Sequence, residues 1–230
     1  MRFHFSTSPS KEQITFTYKN LVNGWLNKHL PTAESGKNQE HDKLSLYCVS
    51  NLKGASQRSS DYLNFPHGAS LFVSFYSTGL ARKFAQNVLA EPNLFADMKI
   101  TNITIQETPV FSSSERFSVA SPVLVKKFDG KTIRHLTFDN PEANDVMTKT
   151  MQKKLCAAGL DAHAETVRVR FDTSYAGAKT KLVDIHGIKN RANVCPVIVE
   201  GSPEAVAFAW DVGVGHSTGS GFGALSVEKF

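Results

Sequence analysis

The C-terminal stretch DVGVGHSTGSGFGALSVEKF places five of the chain's 15 glycines between Gly213 and Gly223. Glycine gives up more conformational freedom on folding than any other residue, so such a cluster implies positive φ or close backbone approach to a partner. Exposed amides in a loop of this kind suit phosphate. A dinucleotide fingerprint must follow a strand and open a helix. Here the preceding SPEAVAFAWD reads as a helix, with Ser202 as N-cap, Pro203 at the first helical position and Glu204 in the first turn. The order is helix, glycine loop, terminal strand. Gly213, Gly215, Gly219, Gly221 and Gly223, with His216 and Ser217 between them, read either as a helix C-cap at Gly213 followed by a turn or as a backbone cradle for a phosphate-bearing partner, and five glycines interleaved with Val214 and Phe222 favour the second. Arg168 and Arg170, on one face of the strand VRVRF, and Lys189 and Arg191, in a hairpin loop at GIKNRAN, read singly as solvated charges and collectively as further phosphate contacts.

The histidines that could move protons differ in setting. His41 sits in the polar segment TAESGKNQEHDK, where a ligand has access, and Lys43 lies two residues beyond it. By position alone His41 reads as well as a solvated loop residue. His29 lies on an apolar stripe, four residues after Trp25, so packing is its plain reading.

The elements that must position these groups follow from periodicity. MRFHF alternates as a half-buried strand, and Tyr18, Leu21, Val22, Trp25, Leu26 and Leu30 form the stripe of an amphipathic helix ending at Pro31. LSLYCV and ASLFVSFY read as strands able to pair antiparallel, TGLARKFAQNVLAEP as a helix and KITNITIQE as a strand. Polar SSSER marks a boundary. Beyond it come a strand in SPVLVKKF, a helix in PEANDVMTKTMQKKLCAAG ended by Gly159, strands in TVRVRFD, TKLVDIHGI and CPVIVEG, the helix after Ser202, and a closing strand in GALSVEKF, with an extra hairpin near GKTIRHLTF. The expected fold class is α+β: two tandem ferredoxin-like βαββαβ domains, 1–113 and 114–230, duplicated in architecture and not in sequence.

Composition bounds the rest. With 230 residues and 41% hydrophobic content the chain can bury a real core, and 26 Lys plus Arg against 21 Asp plus Glu give +5, a mild bias toward polyanions. Cys48, Cys156 and Cys195 lack CxxC spacing, which suggests neither a disulfide framework nor a zinc site and fits a reducing cytoplasm. No secretory signal core or membrane-spanning run is present, so a soluble cytoplasmic protein with no membrane partner is expected.

GVGHSTGSGFG, two Gly-hydrophobic-Gly units separated by five residues near the end of a double ferredoxin-like chain, closely resembles the signature of the CRISPR-associated endoribonucleases that process repeat RNA, within the RAMP superfamily. HDKLSLYCVSNLKG resembles the same family's histidine and following strand. The resemblance implies metal-independent cleavage of CRISPR repeat RNA, with no cofactor, by attack of a ribose 2′-hydroxyl on the adjacent phosphorus. The ends left would be a 2′,3′-cyclic phosphate and a 5′-hydroxyl. It assigns proton transfer to His41 and stabilisation of phosphate charge to Lys43, with Lys37 and Lys28 as alternatives. Where the family often offers a helper tyrosine on the first helix, NGWLNKHL carries Asn27 or Lys28, and His29 becomes the second catalytic candidate. Other CRISPR-complex subunits and a second copy of the chain are the further partners it suggests. A non-catalytic repeat-RNA-binding subunit is the competing reading, and a mononucleotide-binding regulator a third. A metal-dependent nuclease is disfavoured because the 21 acids show no ligand-like grouping.

Overall fold

The computed structural model describes residues 1–31, 44–55, 57–58, 62–130 and 132–227. In the first half the alternating N-terminus forms β1 (Arg2–Thr7), with Phe3 and Phe5 buried, followed by a short β2 (Ile14–Thr15) and helix α1 (Lys19–His29). Then come β3 (Tyr47–Val49), β4 (Gln57–Arg58), β5 (Tyr62–Asn64), β6 (Ser70–Phe75), helix α2 (Thr78–Ala90) and β7 (Ile100–Gln106). The main sheet runs β3-β6-β1-β7, antiparallel throughout, which is the ferredoxin-like order. Both helices press aromatic rings onto it: Phe5, Trp25 and Phe84 meet edge to face at centroid distances of 5.4–6.1 Å. Ser77 caps α2 by accepting from the Leu80 amide at 3.2 Å.

The second half repeats the pattern with β8 (Ser114–Val119), the hairpin β9 (Lys126–Asp129) and β10 (Thr132–His135), helices α3 (Glu142–Ala157) and α4 (Asp161–Ala164), and β11 (Arg168–Phe171). The hairpin β12 (Lys179–Ile185) and β13 (Ile188–Val194), β14 (Val197–Glu200), helix α5 (Pro203–Val212) and β15 (Leu225–Ser226) complete it. Its sheet order, β11-β14-β8-β15, matches the first. The tandem ferredoxin-like architecture read from the sequence is the observed one.

The opening strand of the second unit was misplaced by sequence. It is Ser114–Val119, inside the polar segment read as a boundary, whereas SPVLVKKF supplies isolated bridges at Val123 and Leu124 and then β9. Only Phe117 of β8 is fully buried, so the strand's apolar signal is thin and its place in the sheet is fixed by the ladders to β14 and β15.

Helix α5 is apolar nearly all round, burying Ala205, Val206, Phe208, Ala209, Trp210 and Val212, because it packs on its own sheet and also meets β3 and β6 of the first unit. The Arg2 guanidinium lies between the rings of Phe72 (3.8 Å) and Trp210 (3.5 Å) and donates to the Trp210 carbonyl. The Met1 ammonium donates to Asp211 Oδ1 at 2.8 Å. These contacts fasten the two units together. Among the described residues no helix is long and apolar enough to cross a membrane.

Candidate nucleic-acid interface

The glycine loop leaves α5 at Gly213, whose amide still donates to the Ala209 carbonyl. Its two ends lie against each other and against residues 122–124: Val214 donates to Gly223 O (2.9 Å), His216 to Leu124 O (2.7 Å) and Gly223 to Pro122 O (2.9 Å). A Cβ on Gly215, at φ +73, would sit 2.6 Å from Leu124 O, and one on Gly223, at φ +64, would sit 1.9 Å from Val214 O. The close approach that demands glycine is to the protein's own backbone. Gly213, Gly215, Gly221 and Gly223 are buried, so the cradle read from the sequence is corrected for them: they seat the loop. The strip from His216 to Ser220, containing Ser217 and Gly219, stays partly open apart from Thr218.

Two buried lysines hold this loop from opposite sides. Lys19, on α1, donates to the Gly221 carbonyl at 2.5 Å and to Asn51 Oδ1 at 2.7 Å. Lys154, on α3, donates to the Val212 and Gly213 carbonyls and to Thr218 Oγ1 (3.0 Å), placing its ammonium at the negative end of α5. Burial pushes both amines down to about 7, and the charge of Lys181 pushes Lys19 the same way.

Beside the open strip lies a cleft of about 660 Å³ between the units. Asn23 and Asn27 of α1, Leu44, Ser45 and Tyr47 form one side, and Lys126 and Phe128 of β9, Lys153 and Lys154 of α3 and the hairpin turn at His186 form the other. Three lysines and two histidines line it, with no Asp or Glu among the lining residues. Such a wall attracts a polyanion. Burial first, then the charges of Lys126 and Lys154, push His216 down to about 4, so its ring is neutral at pH 7. Its Nδ1 accepts the Lys126 amide at 3.2 Å, which puts the proton on Nε2 as a donor. The Lys126 ammonium, pushed down by burial, reaches Ser217 Oγ at 3.3 Å.

The sequence-predicted residues divide. Gly215, His216, Ser217 and Gly219 line the cleft. His29 does not, and its catalytic assignment is corrected: it is 2% exposed, packed on Trp25 and Phe84, with Nδ1 at 2.8 Å from the Trp25 carbonyl and Nε2 at 3.0 Å from the Glu91 carbonyl. Of the two residues matched to the helper position, Asn27 faces the cleft while Lys28 pairs with Glu91 away from it. Arg168 and Arg170 are exposed on β11 but are not cleft residues. Arg168 donates to the Glu165 and Val167 carbonyls, and Arg170 lies 3.4 Å from Glu200. Lys189 and Arg191 lie on strand β13, because the hairpin turn is His186–Gly187. His41, Lys43 and Lys37 lie outside the described residues, and the described chain resumes at Leu44 on the cleft wall. Sequence reasoning missed Asn23, Lys126, Phe128, Lys153 and Lys154. The doublet in MQKKL was the available signal for the last two. Among the described residues no three His, Cys, Asp or Glu side chains come together as metal ligands.

Comparison with known proteins gives a match of residues 106–227 to the model of the CRISPR associated protein Cas6 C-terminal family. The fold is similar to a Cas6-related protein of Pyrococcus furiosus (17% identity, TM-score 0.83, 100% of this chain and 98% of that one covered). It is also similar to an RAMP protein binding different RNA substrates (18%, TM-score 0.81, 100% of each chain) and to a Cas6 product complex (13%, TM-score 0.67, 97% and 98%). No curated protein sequence matches the chain.

Proposed function

The chain belongs to the CRISPR-associated Cas6 family, and on that premise we propose that it binds CRISPR repeat RNA in the lysine-lined cleft and cleaves it there as a metal-independent endoribonuclease. The observation that carries this reading is the cleft itself, lined by lysines, with no Asp or Glu among its described residues, and floored by the glycine loop. The Lys126 and Lys153 side chains and the Nε2–H of His216 offer positive charge and donors to phosphate, while Lys154 holds the loop from beneath. The division between the two units falls, in this reading, between Ser113 and Ser114, where β8 begins.

The nucleophile belongs to the RNA. A ribose 2′-hydroxyl forms the new O–P bond, the bond to the 5′ oxygen breaks, and the products are a 2′,3′-cyclic phosphate and a 5′-hydroxyl. His41 moves the proton, and the Lys43 ammonium stabilises charge on the phosphate. Support for these two comes from the chain's reach: Leu44 is on the cleft wall, and three extended residues span at most about 11 Å. Asn27 faces the cleft at the helper position and would orient substrate without transferring a proton. Single-turnover cleavage of repeat RNA in EDTA tests the reading: His41→Ala should lower the rate by about 10² or more with affinity within a few fold. Equal rates remove His41 from the chemistry, and no cleavage by either protein leaves a repeat-RNA-binding subunit.

A further inference from the structure

Resting on that reading of the cleft, we infer that Phe128 stacks an unpaired base of the bound RNA, so that the cleft takes the repeat where it is single-stranded. Phe128 lines the cleft with 64% of its surface exposed, and Ile133, directly opposite it on β10, is 52% exposed. Single apolar residues on a surface are ordinary, but this pair has a setting of its own. Side chains alternate along paired strands, so Lys126 and His135 share the face of Phe128 and Ile133, while Lys127 and Arg134 take the other. The second face is occupied: both of its cations pair with Glu142 of α3. The first face carries no acid among its four residues and is turned to the cleft through Lys126 and Phe128.

The Phe128 ring lies 6.4 Å from the ring of His216, whose Nε2–H and the neighbouring Lys126 are the groups that meet phosphate. A single strand brings one phosphate and one flat base per nucleotide, and an aromatic face set beside cations and donors matches both. A duplex brings the phosphates but no free base face along its length, because its bases already stack on one another. A ribose hydroxyl wants a donor or an acceptor, which neither Phe128 nor Ile133 has. Every base has a flat face, so the ring takes purines and pyrimidines alike.

The test is fluorescence anisotropy with three fluorescein-labelled probes: a nine-nucleotide RNA of mixed sequence that cannot pair with itself, the same RNA annealed to its complement, and an abasic ribose-phosphate strand of equal length. The intact protein is expected to bind the single strand about tenfold more tightly than the abasic strand, the effect of one stacked base. Phe128→Leu, which keeps an apolar side chain without the ring, should weaken the single strand about tenfold and leave the duplex and the abasic strand within about twofold. Phe128→Tyr should hold the single strand within about twofold of the intact protein. The single strand against the abasic strand on the intact protein needs no variant, so it decides even if Phe128→Leu fails to fold, and equal affinity there overturns the inference. So does a loss shared by the duplex or the abasic strand in a folded Phe128→Leu, or a Phe128→Tyr as weak as Phe128→Leu. Unchanged affinity of Phe128→Leu for the single strand also overturns it and leaves the exposed patch to a protein partner. No binding of any probe would overturn the RNA reading of the cleft and the inference with it, whereas binding that ignores Phe128 overturns the inference alone.

Discussion

Replacing Gly215 by alanine separates a loop built against the protein from a loop built against a ligand. At φ +73 any side chain pays the left-handed penalty of about 1–2 kcal/mol. The new Cβ would also lie 2.6 Å from Leu124 O and 3.0 Å from Val123 Cγ1, so the backbone at 123–124 must retreat. That carbonyl accepts the His216 amide at 2.7 Å, and weakening the bond costs a further 0.5–1.5 kcal/mol or so. The total of about 1.5–3.5 kcal/mol corresponds to a Tm lower by roughly 3–14 °C for a chain of this size. Gly159→Ala is the control: φ is +76 but nothing lies within 4 Å of the added Cβ, so only the conformational penalty applies. Differential scanning calorimetry on the two variants should rank Gly215→Ala clearly below Gly159→Ala. If Gly215→Ala melts no lower than the control while repeat-RNA affinity falls tenfold, the glycine serves a bound ligand and the reasoning from Leu124 is wrong.

His29→Ala should lose about 2–4 kcal/mol, a cavity under Trp25 plus two carbonyl contacts, with repeat-RNA affinity unchanged; a normal melt with slowed cleavage would restore His29 to the chemistry. His216 titrates near 4 in the folded chain and near 6.5 unfolded, so the unfolded chain binds the extra proton between those values. Its contribution to stability is intact above pH 6.5 and is lost as pH falls toward 4. Melts of His216→Asn should show a shallower fall of Tm over that window, and an unchanged slope would mean that the ring is not held neutral. Lys153 is exposed on the cleft wall, so Lys153→Ala should weaken RNA binding and reduce the slope of log K against log salt by roughly 0.7; an unaltered slope would take Lys153 out of contact with phosphate.

How far the sequence could be read depended on where each residue's partner lies. The strand MRFHF, the α1 stripe and the Ser202 cap are local patterns, and the structure keeps the three elements, though Leu21 of the stripe is exposed and Arg2 of the strand is buried against the second unit. The glycine cluster correctly announced a close backbone approach, but its partners are at 122–124 and at the loop's own ends, which no local pattern identifies. Lys154 looks like one more solvated helix lysine until the carbonyls of Val212 and Gly213, 58 and 59 positions away in sequence, are brought over it. Asn23 is polar on a helix whose neighbouring face is the core, and only the arrival of the second unit makes it a buried wall of a cleft. His29 shows the converse: its place on the apolar stripe already indicated packing, and the family resemblance drew it toward catalysis.

The most direct measurement pairs repeat RNA with the same RNA carrying a single 2′-deoxyribose at the cleaved nucleotide, each incubated with the protein in excess EDTA and the fragments sized and end-analysed. Attack by the RNA's own hydroxyl predicts that the all-ribose RNA is cut to a 2′,3′-cyclic phosphate and a 5′-hydroxyl while the deoxy RNA is bound and left whole. Cleavage of the deoxy RNA, or loss of cleavage on adding EDTA, would contradict it.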